Sequence, residues 1–201
     1  MTTCRLAPIE QAVFADATAL HELRRQIEDW LGGQGIEQWG HGQVSRQEIT
    51  EQIQAGQWHV VRDPAMGVAA AVRLLWADPE VWGADDTPAV YVHGLMVHRS
   101  AAGRGLGAFL LDWATEGGQA AGAEVIRLDC VESNTALRTF YQRQEFQEVG
   151  RRDFDGPWYS ATLLERTLQP GSPLASRHGH PIVHGEQGVA QRRPARPAPV
   201  P

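Results

Sequence analysis

Apolar residues recur along this chain at two spacings, and the switches between them mark out its elements. Arg5 to Glu10 reads as a short first strand. From about Asp16 to Leu31, Leu20, Leu23, Ile27 and Leu31 fall three or four residues apart, which gives one apolar helical face. Gly32, Gly33 and Gly35 close that helix. Ser45-Arg46-Gln47-Glu48 is a capping box that opens a second helix to about Ala55. Gln57–Arg62 and Val68–Trp76 read as two strands of a hairpin turning at Asp63-Pro64. A polar loop, 77–88, carries Trp82.

The most informative stretch follows. Ala89 to Val97 is a β-rich run that leads into a loop with Gly103, Gly105 and Gly107. Leu106, Phe109, Leu110 and Trp113 then take up a helical spacing that ends near Gly117-Gly118 or Gly122. A glycine loop feeding a helix N-terminus is an anion site: the backbone can approach closely, N–H groups are free, and the helix dipole favours negative charge. Arg104 adds a cation within the loop. Beyond it come a strand at Glu124–Cys130, a helix at Asn134–Glu145 with Leu137, Phe140 and Tyr141 on one face, and closing strands at Phe146–Arg151 and Trp158–Thr167 around Asp155-Gly156-Pro157. The order is β-α-α-β-β-β-α-β-α-β-β, a mixed α/β pattern.

Composition bounds the reading. With 201 residues, one well-buried domain is expected, spanning 1–168. From Gln169 the chain holds seven of its twelve prolines and little apolar periodicity, so 169–201 is expected to be a disordered tail. The tail has four arginines (177, 192, 193 and 196) against Glu186, which leaves 14 basic and 23 acidic side chains ahead of it, a balance of −9. That balance argues against nucleic acid as the main partner. His178, His180 and His184 lack a second ligand cluster, so no metal is expected. No apolar run is long enough for a membrane span, and MTTCRLAPIEQ lacks the sections of a signal peptide. With Cys4 and Cys130 as the only cysteines and no disulfide expected, a cytoplasmic location is the default.

Two phosphate-binding readings fit the glycine loop. Gly103-x-Gly105-x-x-Ala108 satisfies a dinucleotide fingerprint, with Asp129 about one βα unit later. Five residues, His98 to Ala102, separate strand from first glycine, however, and only one further βα unit follows, too few for a doubly wound sheet. The second reading is a resemblance. Leu95-Met96-Val97 followed by Ala102-Gly103-Arg104-Gly105-Leu106-Gly107 resembles the central motif of the GNAT superfamily of N-acetyltransferases. Asn134-x-x-Leu137-x-x-Phe140-Tyr141-x-x-x-x-Phe146 resembles that family's next motif, and the likeness covers about residues 5–167. Two departures stand out: Ala102 replaces the Arg or Gln at the head of the loop, and Glu145 replaces a glycine before Phe146.

The resemblance implies a mostly antiparallel sheet of six to seven strands flanked by about four helices, with acetyl-CoA as donor co-substrate. By that likeness Leu95, Met96 and Val97 would pair with the pantetheine arm, an amide near Leu95 would polarise the thioester, and Gly103, Arg104, Gly105, Leu106, Gly107 and Ala108 would wrap the pyrophosphate. Tyr141 would protonate the departing thiolate. Asn134 would cap its helix, contact the cofactor arm, or both. Val92 to Arg99 is similar to the corresponding strand of arylalkylamine N-acetyltransferases, which implies that His93 is the general base. Trp39, Trp82 and Trp158, near acidic residues, are the candidate acceptor contacts, suited to a cationic small amine. The expected reaction is direct attack in a ternary complex, and a homodimer is compatible with it. The alternative is a catalytically weak acyl-CoA-binding module or sensor whose basic tail engages a partner.

Overall fold

A computed structural model describes residues 7–154 and 160–168. The tail from Gln169, the Asp155-Gly156-Pro157 turn, Trp158 and Cys4 lie outside the described residues. Seven strands form one sheet: β1 (Ile9–Gln11), β2 (Trp58–Asp63), β3 (Gly67–Leu75), β4 (Ala89–Val97), β5 (Val125–Val131), β6 (Gln147–Arg152) and β7 (Ala161–Thr167). Their spatial order is β1-β2-β3-β4-β5-β7-β6. Every pairing is antiparallel except β4 with β5. That parallel pair needs a crossover, and α4 (Leu106–Ala120) supplies it.

The helices cover both faces. On one, α1 (Ala17–Gly33) and α2 (Arg46–Gln54) bury Leu20, Leu23, Ile27, Ile49 and Ile53 against Val60, Ala71 and Met96. On the other, Leu110, Leu111 and Ala114 of α4 pack on Val90, Ile126, Leu128 and Leu164, and Tyr141 of α5 (Thr135–Arg143) joins that cluster with Phe146. Among the described residues no helix is long and apolar enough to cross a membrane.

The elements expected from the sequence are present, with three differences. Among the described residues the first strand is Ile9–Gln11 and leaves out Ala7 and Pro8, since proline has no N–H to contribute to a ladder; Arg5 lies outside the described residues. The helix α1 runs through Gly32 and Gly33 and ends only where Gly35 turns to a positive φ. The 77–88 loop contains a single helical turn, α3 (Pro79–Trp82), which starts with proline at a position where its missing N–H costs nothing. Glu145, in place of the family's glycine, keeps the left-handed turn at φ 65. Phe146 N–H donating to Tyr141 C=O at 3.1 Å holds that turn.

One polar group in the core is uncompensated. His59 is buried on β2, its ring lies tilted against Trp113 with centroids 4.6 Å apart, and its Nδ1 has no hydrogen-bond partner. Burial lowers its pKa to about 4 from an ordinary 6.5. In the folded state His59 therefore stays neutral while the unfolded chain binds a proton below pH 6.5, so stability falls as pH drops from 6.5 to 4. The full effect is about 3 kcal/mol, at about 1.4 kcal/mol per pH unit. Replacing His59 by Phe should flatten this slope, as read from urea midpoints between pH 7 and 4.5; an unchanged slope would refute the assignment.

Candidate active site

The site is built where β4 and β5 part. Their parallel pairing runs from Ala89↔Val125 to Val92↔Leu128 and stops. From His93 onward β4 pairs only with β3, and from Asp129 onward β5 pairs only with β7. Continuing the register would set His93 beside Asp129, so these are the first residues at the mouth of the opening. On its other edge β4 is bulged: Arg73 pairs with His93 and Ala71 with Met96, leaving Gly94 and Leu95 with no cross-strand partners.

Gly94 makes that bulge feasible. Its φ is +53, and a Cβ there would lie 2.6 Å from Cη2 of Trp58. The tryptophan is held by its own N–H, which donates to Gln52 Oε1 at 2.8 Å. The indole therefore fills the space a side chain would need, and the backbone kink points Leu95 and Val97 towards the opening. Both line a cavity of about 1390 Å³ that follows the parted strands, whereas the Met96 side chain is buried beneath α1 and α2.

At one end of the cavity stands the glycine loop. Gly105 takes a left-handed φ of 79 as the N-cap of α4, and no side chain caps the helix. The first bond of the helix is Phe109 N–H to Gly105 C=O, so the N–H groups of Leu106, Gly107 and Ala108 remain for an anion. Gly103, Gly105, Leu106, Gly107 and Ala108 all line the cavity; Arg104 does not. The cation that does so at this end is Arg99, whose guanidinium lies 3.7 Å over the Trp30 ring. With Ala102 offering no charge, Arg99 is the side chain nearest to that role, and its place at the strand exit gave no signal in the motif.

Tyr141 lines the same cavity from α5 and is packed between Phe140 and Phe146. Burial raises its pKa well above the ordinary phenol, with the charges of Cys130 and Asp129 adding to the effect. Cys130 beside it is buried, and desolvation pushes the thiol up to about 12. Asn134 caps α5, its Oδ1 accepting from Leu137 N–H at 3.1 Å. Its Nδ2 donates to Gln38 Oε1 at 3.3 Å, and the same oxygen accepts from Val131 N–H at 3.2 Å. Gln38 thus ties the α1–α2 loop to the freed end of β5.

His93 is half-buried at the mouth, with Nε2 3.1 Å from Asp78 Oδ2. Asp78, His93 and Asp129 each bring a ligand-type atom within 4.8 Å of the others. Asp78 had no place in any sequence motif, since it falls in an apparently polar loop. Asp129 was visible only through the dinucleotide fingerprint, which the fold does not support.

The three tryptophans separate. Trp39 lines the cavity with Arg24 stacked 3.6 Å over one face; Glu28, with a fully buried side chain, accepts from Arg24 and from Gly42 N–H and so fixes that loop. Trp82 does not line the cavity and packs against Tyr91 and Arg127. Trp158 is outside the described residues. Trp76, Glu80 and Phe154 line the cavity instead.

Comparison with known proteins agrees with this geometry. Residues 24–146 match the acetyltransferase (GNAT) family. Over 147 residues, 69% of this chain and 81% of the other, it is 37% identical to YesJ of Bacillus subtilis (strain 168), an uncharacterized N-acetyltransferase. A GNAT-family acetyltransferase structure from Listeria monocytogenes is 27% identical, with a TM-score of 0.65 over 80% of this chain and 94% of that one. Another from Streptococcus agalactiae, 20% identical, shares the fold with a TM-score of 0.69 over 82% and 99%. So does yncA from Salmonella typhimurium, whose structure holds its cofactor acetyl-CoA, at 17% identity and a TM-score of 0.59 over 82% and 95%. The chain belongs to the GNAT family of acetyltransferases.

The bulge makes a direct prediction. Gly94→Ala should destabilise the fold by about 2 kcal/mol, since it adds left-handed strain and an indole clash. Gly32→Ala, in α1 with nothing within 4 Å of the new Cβ, should be neutral or slightly stabilising. Chemical denaturation of the pair checks this, and equal midpoints would discount the bulge.

Proposed function

We propose that this protein transfers the acetyl group of acetyl-CoA to a primary amine of a small molecule, by direct attack in a ternary complex. The observation that carries the reading is the single cavity that joins an uncapped, glycine-led helix N-terminus to Tyr141 and His93 across parted strands. An extended thioester arm fits such an opening as a surrogate strand. Backbone groups of Leu95, Met96 and Val97 pair with it, and the loop from Gly103 to Ala108 with Arg99 holds its pyrophosphate. Family membership and the acetyl-CoA of the Salmonella fold neighbour support the choice of donor.

The chemistry balances within this set. The amine reaches the site as an ammonium ion and gives a proton to His93. Its nitrogen attacks the thioester carbon, whose oxygen is polarised by the Leu95 amide. The C–S bond breaks, Tyr141 protonates the departing sulfur, and the second proton lost by the attacking nitrogen restores the Tyr141 hydroxyl. The buried Cys130 thiol stays protonated and takes no part. Glu80 and Asp129 beside Trp39, Trp76 and Phe154 make the acceptor end anionic and aromatic, which suits a cationic amine.

Thiol release from acetyl-CoA, measured with phenylethylamine, spermidine and kanamycin, tests the reading. Turnover of at least one amine is expected; tight acetyl-CoA binding with no turnover of any would favour a binding module. The 201 residues contain no lysine, so side-chain self-acetylation adds no background. Tyr141→Phe should lower kcat by about 100-fold or more while leaving the acetyl-CoA KM within a few-fold. Unchanged turnover would remove Tyr141 from the acid role.

A further inference from the structure

We propose that Asp78 is a positioning residue for His93, fixing which ring nitrogen holds the lone pair and so which atom acts as base. The inference rests on the base role given to His93 above. Asp78 Oδ2 lies 3.1 Å from His93 Nε2, with the two side chains 9% and 18% exposed. That separation is an ion-pair contact; a carboxylate can only accept, so where it takes a hydrogen bond from this ring it is Nε2 that carries the proton and Nδ1 that keeps the lone pair. A neutral imidazole without such a partner would divide between two tautomers, only one of which presents its lone pair usefully. The other groups facing this ring are Asp129 from β5, within 4.8 Å, and Arg73, its cross-strand neighbour on β3. Arg73 donates to Gln57 Oε1 at 2.8 Å.

The segment between β3 and β4 is built to hold this carboxylate still. Asp78 is the N-cap of α3, and its C=O accepts from Trp82 N–H at 2.9 Å. Trp82 is packed edge-on against Tyr91, 6.1 Å between centroids, and lies under the Arg127 guanidinium at 4.6 Å. Arg127, buried on β5, pairs with Asp85 at 2.8 Å and with Glu165 at 2.7 Å, and donates to the Tyr91 hydroxyl at 3.2 Å. Trp82 and Asp85 are thus both anchored to the paired part of the sheet, four and seven residues beyond Asp78. Held this way, Asp78 has little room to leave His93. Trp82 contributes to the site through this anchoring rather than through the acceptor.

The test begins without any acceptor. In full-length protein labelled with ¹⁵N-histidine, long-range ¹H–¹⁵N correlation at pH 8 should show His93 as a single Nε2–H tautomer. Asp78→Ala should give a mixture, and Asp78→Leu, similar in shape but unable to accept, replaces it if the alanine variant does not fold. A mixed or Nδ1–H tautomer in the wild type, or no change in the variant, overturns the proposal.

A kinetic cycle follows, run with whichever of phenylethylamine, spermidine or kanamycin turns over fastest. Asp78→Ala should lower kcat by roughly tenfold or more at unchanged acetyl-CoA KM, and should cost nothing further in a His93→Ala background. An equal loss in that background would mean that Asp78 acts on the acceptor itself, and the proposal fails. Full activity of His93→Ala alone would instead sink the base role of His93, a distinct result.

Discussion

The parallel ladder between β4 and β5 ends after Val92↔Leu128, and the rest of the site follows from that early stop. Two adjacent strands in a sheet normally satisfy each other's backbone groups along their whole shared length. Here each turns to its other neighbour instead, β4 to β3 and β5 to β7. The parting exposes polar backbone in the middle of a sheet, a place where it is costly unless something extended occupies the gap. The bulge at Gly94 and the Trp58 ring beneath it keep β4 bent away. Gln38, reaching from the α1–α2 loop to Val131 N–H, satisfies one of the groups left behind on β5.

The same parting decides which side chains can meet. Tyr91 and Arg127 are paired on one face of the sheet, below the opening, and lock the 77–88 segment in place. One step further along the same face, His93 and Asp129 stand at the mouth with no ladder between them. A sheet that stayed paired would have buried these two as another cross-strand couple. Opened, it gives them access to the cavity while the Arg127 cluster, one pair below, supplies rigidity. The proposed chemistry sits directly on top of the anchor that supports it.

Much of this was legible in the sequence because it is written in local signals. The capping box at Ser45, the glycine loop, and the periodicity of Leu20 to Leu31 each act within a few residues, and each appears where expected. What was illegible depends on contacts between distant segments. Asp78 and His93 are brought together by β3–β4 pairing, and nothing in the residues 77–88 announces a carboxylate aimed at a histidine. Trp82 looked like an acceptor contact because an aromatic in a polar loop has no visible partner in sequence; Arg127, on a later strand, is that partner. Arg99 escaped notice for a related reason: motif reading fixes on position 102, whereas the Trp30 stack that holds Arg99 comes from α1. The left-handed turn at Glu145 persists without its glycine because α5 and β6 constrain both sides of it.

The pocket wall behind the opening also bears on the last proton transfer. A phenol whose pKa has been raised by burial is a poor acid toward a thiolate in water, which on its own argues against Tyr141 as donor. The thiolate, however, is not released into water. Cys130 reports on what this neighbourhood does to a thiol: desolvation, with Asp129 nearby, pushes it up to about 12. A CoA sulfur brought against Tyr141 would also lose part of its hydration, so its proton affinity would rise in the same direction as that of the phenol. Donor and acceptor are lifted in parallel, and the transfer is closer to balanced than their values in water suggest. At pH 7 a thiol at 12 is ionised in only about one molecule in 100,000, so the environment that suits Tyr141 to its proposed task also disqualifies Cys130 as a nucleophile. The same wall thus agrees with the proposed direct transfer to the amine and not with a relay through Cys130.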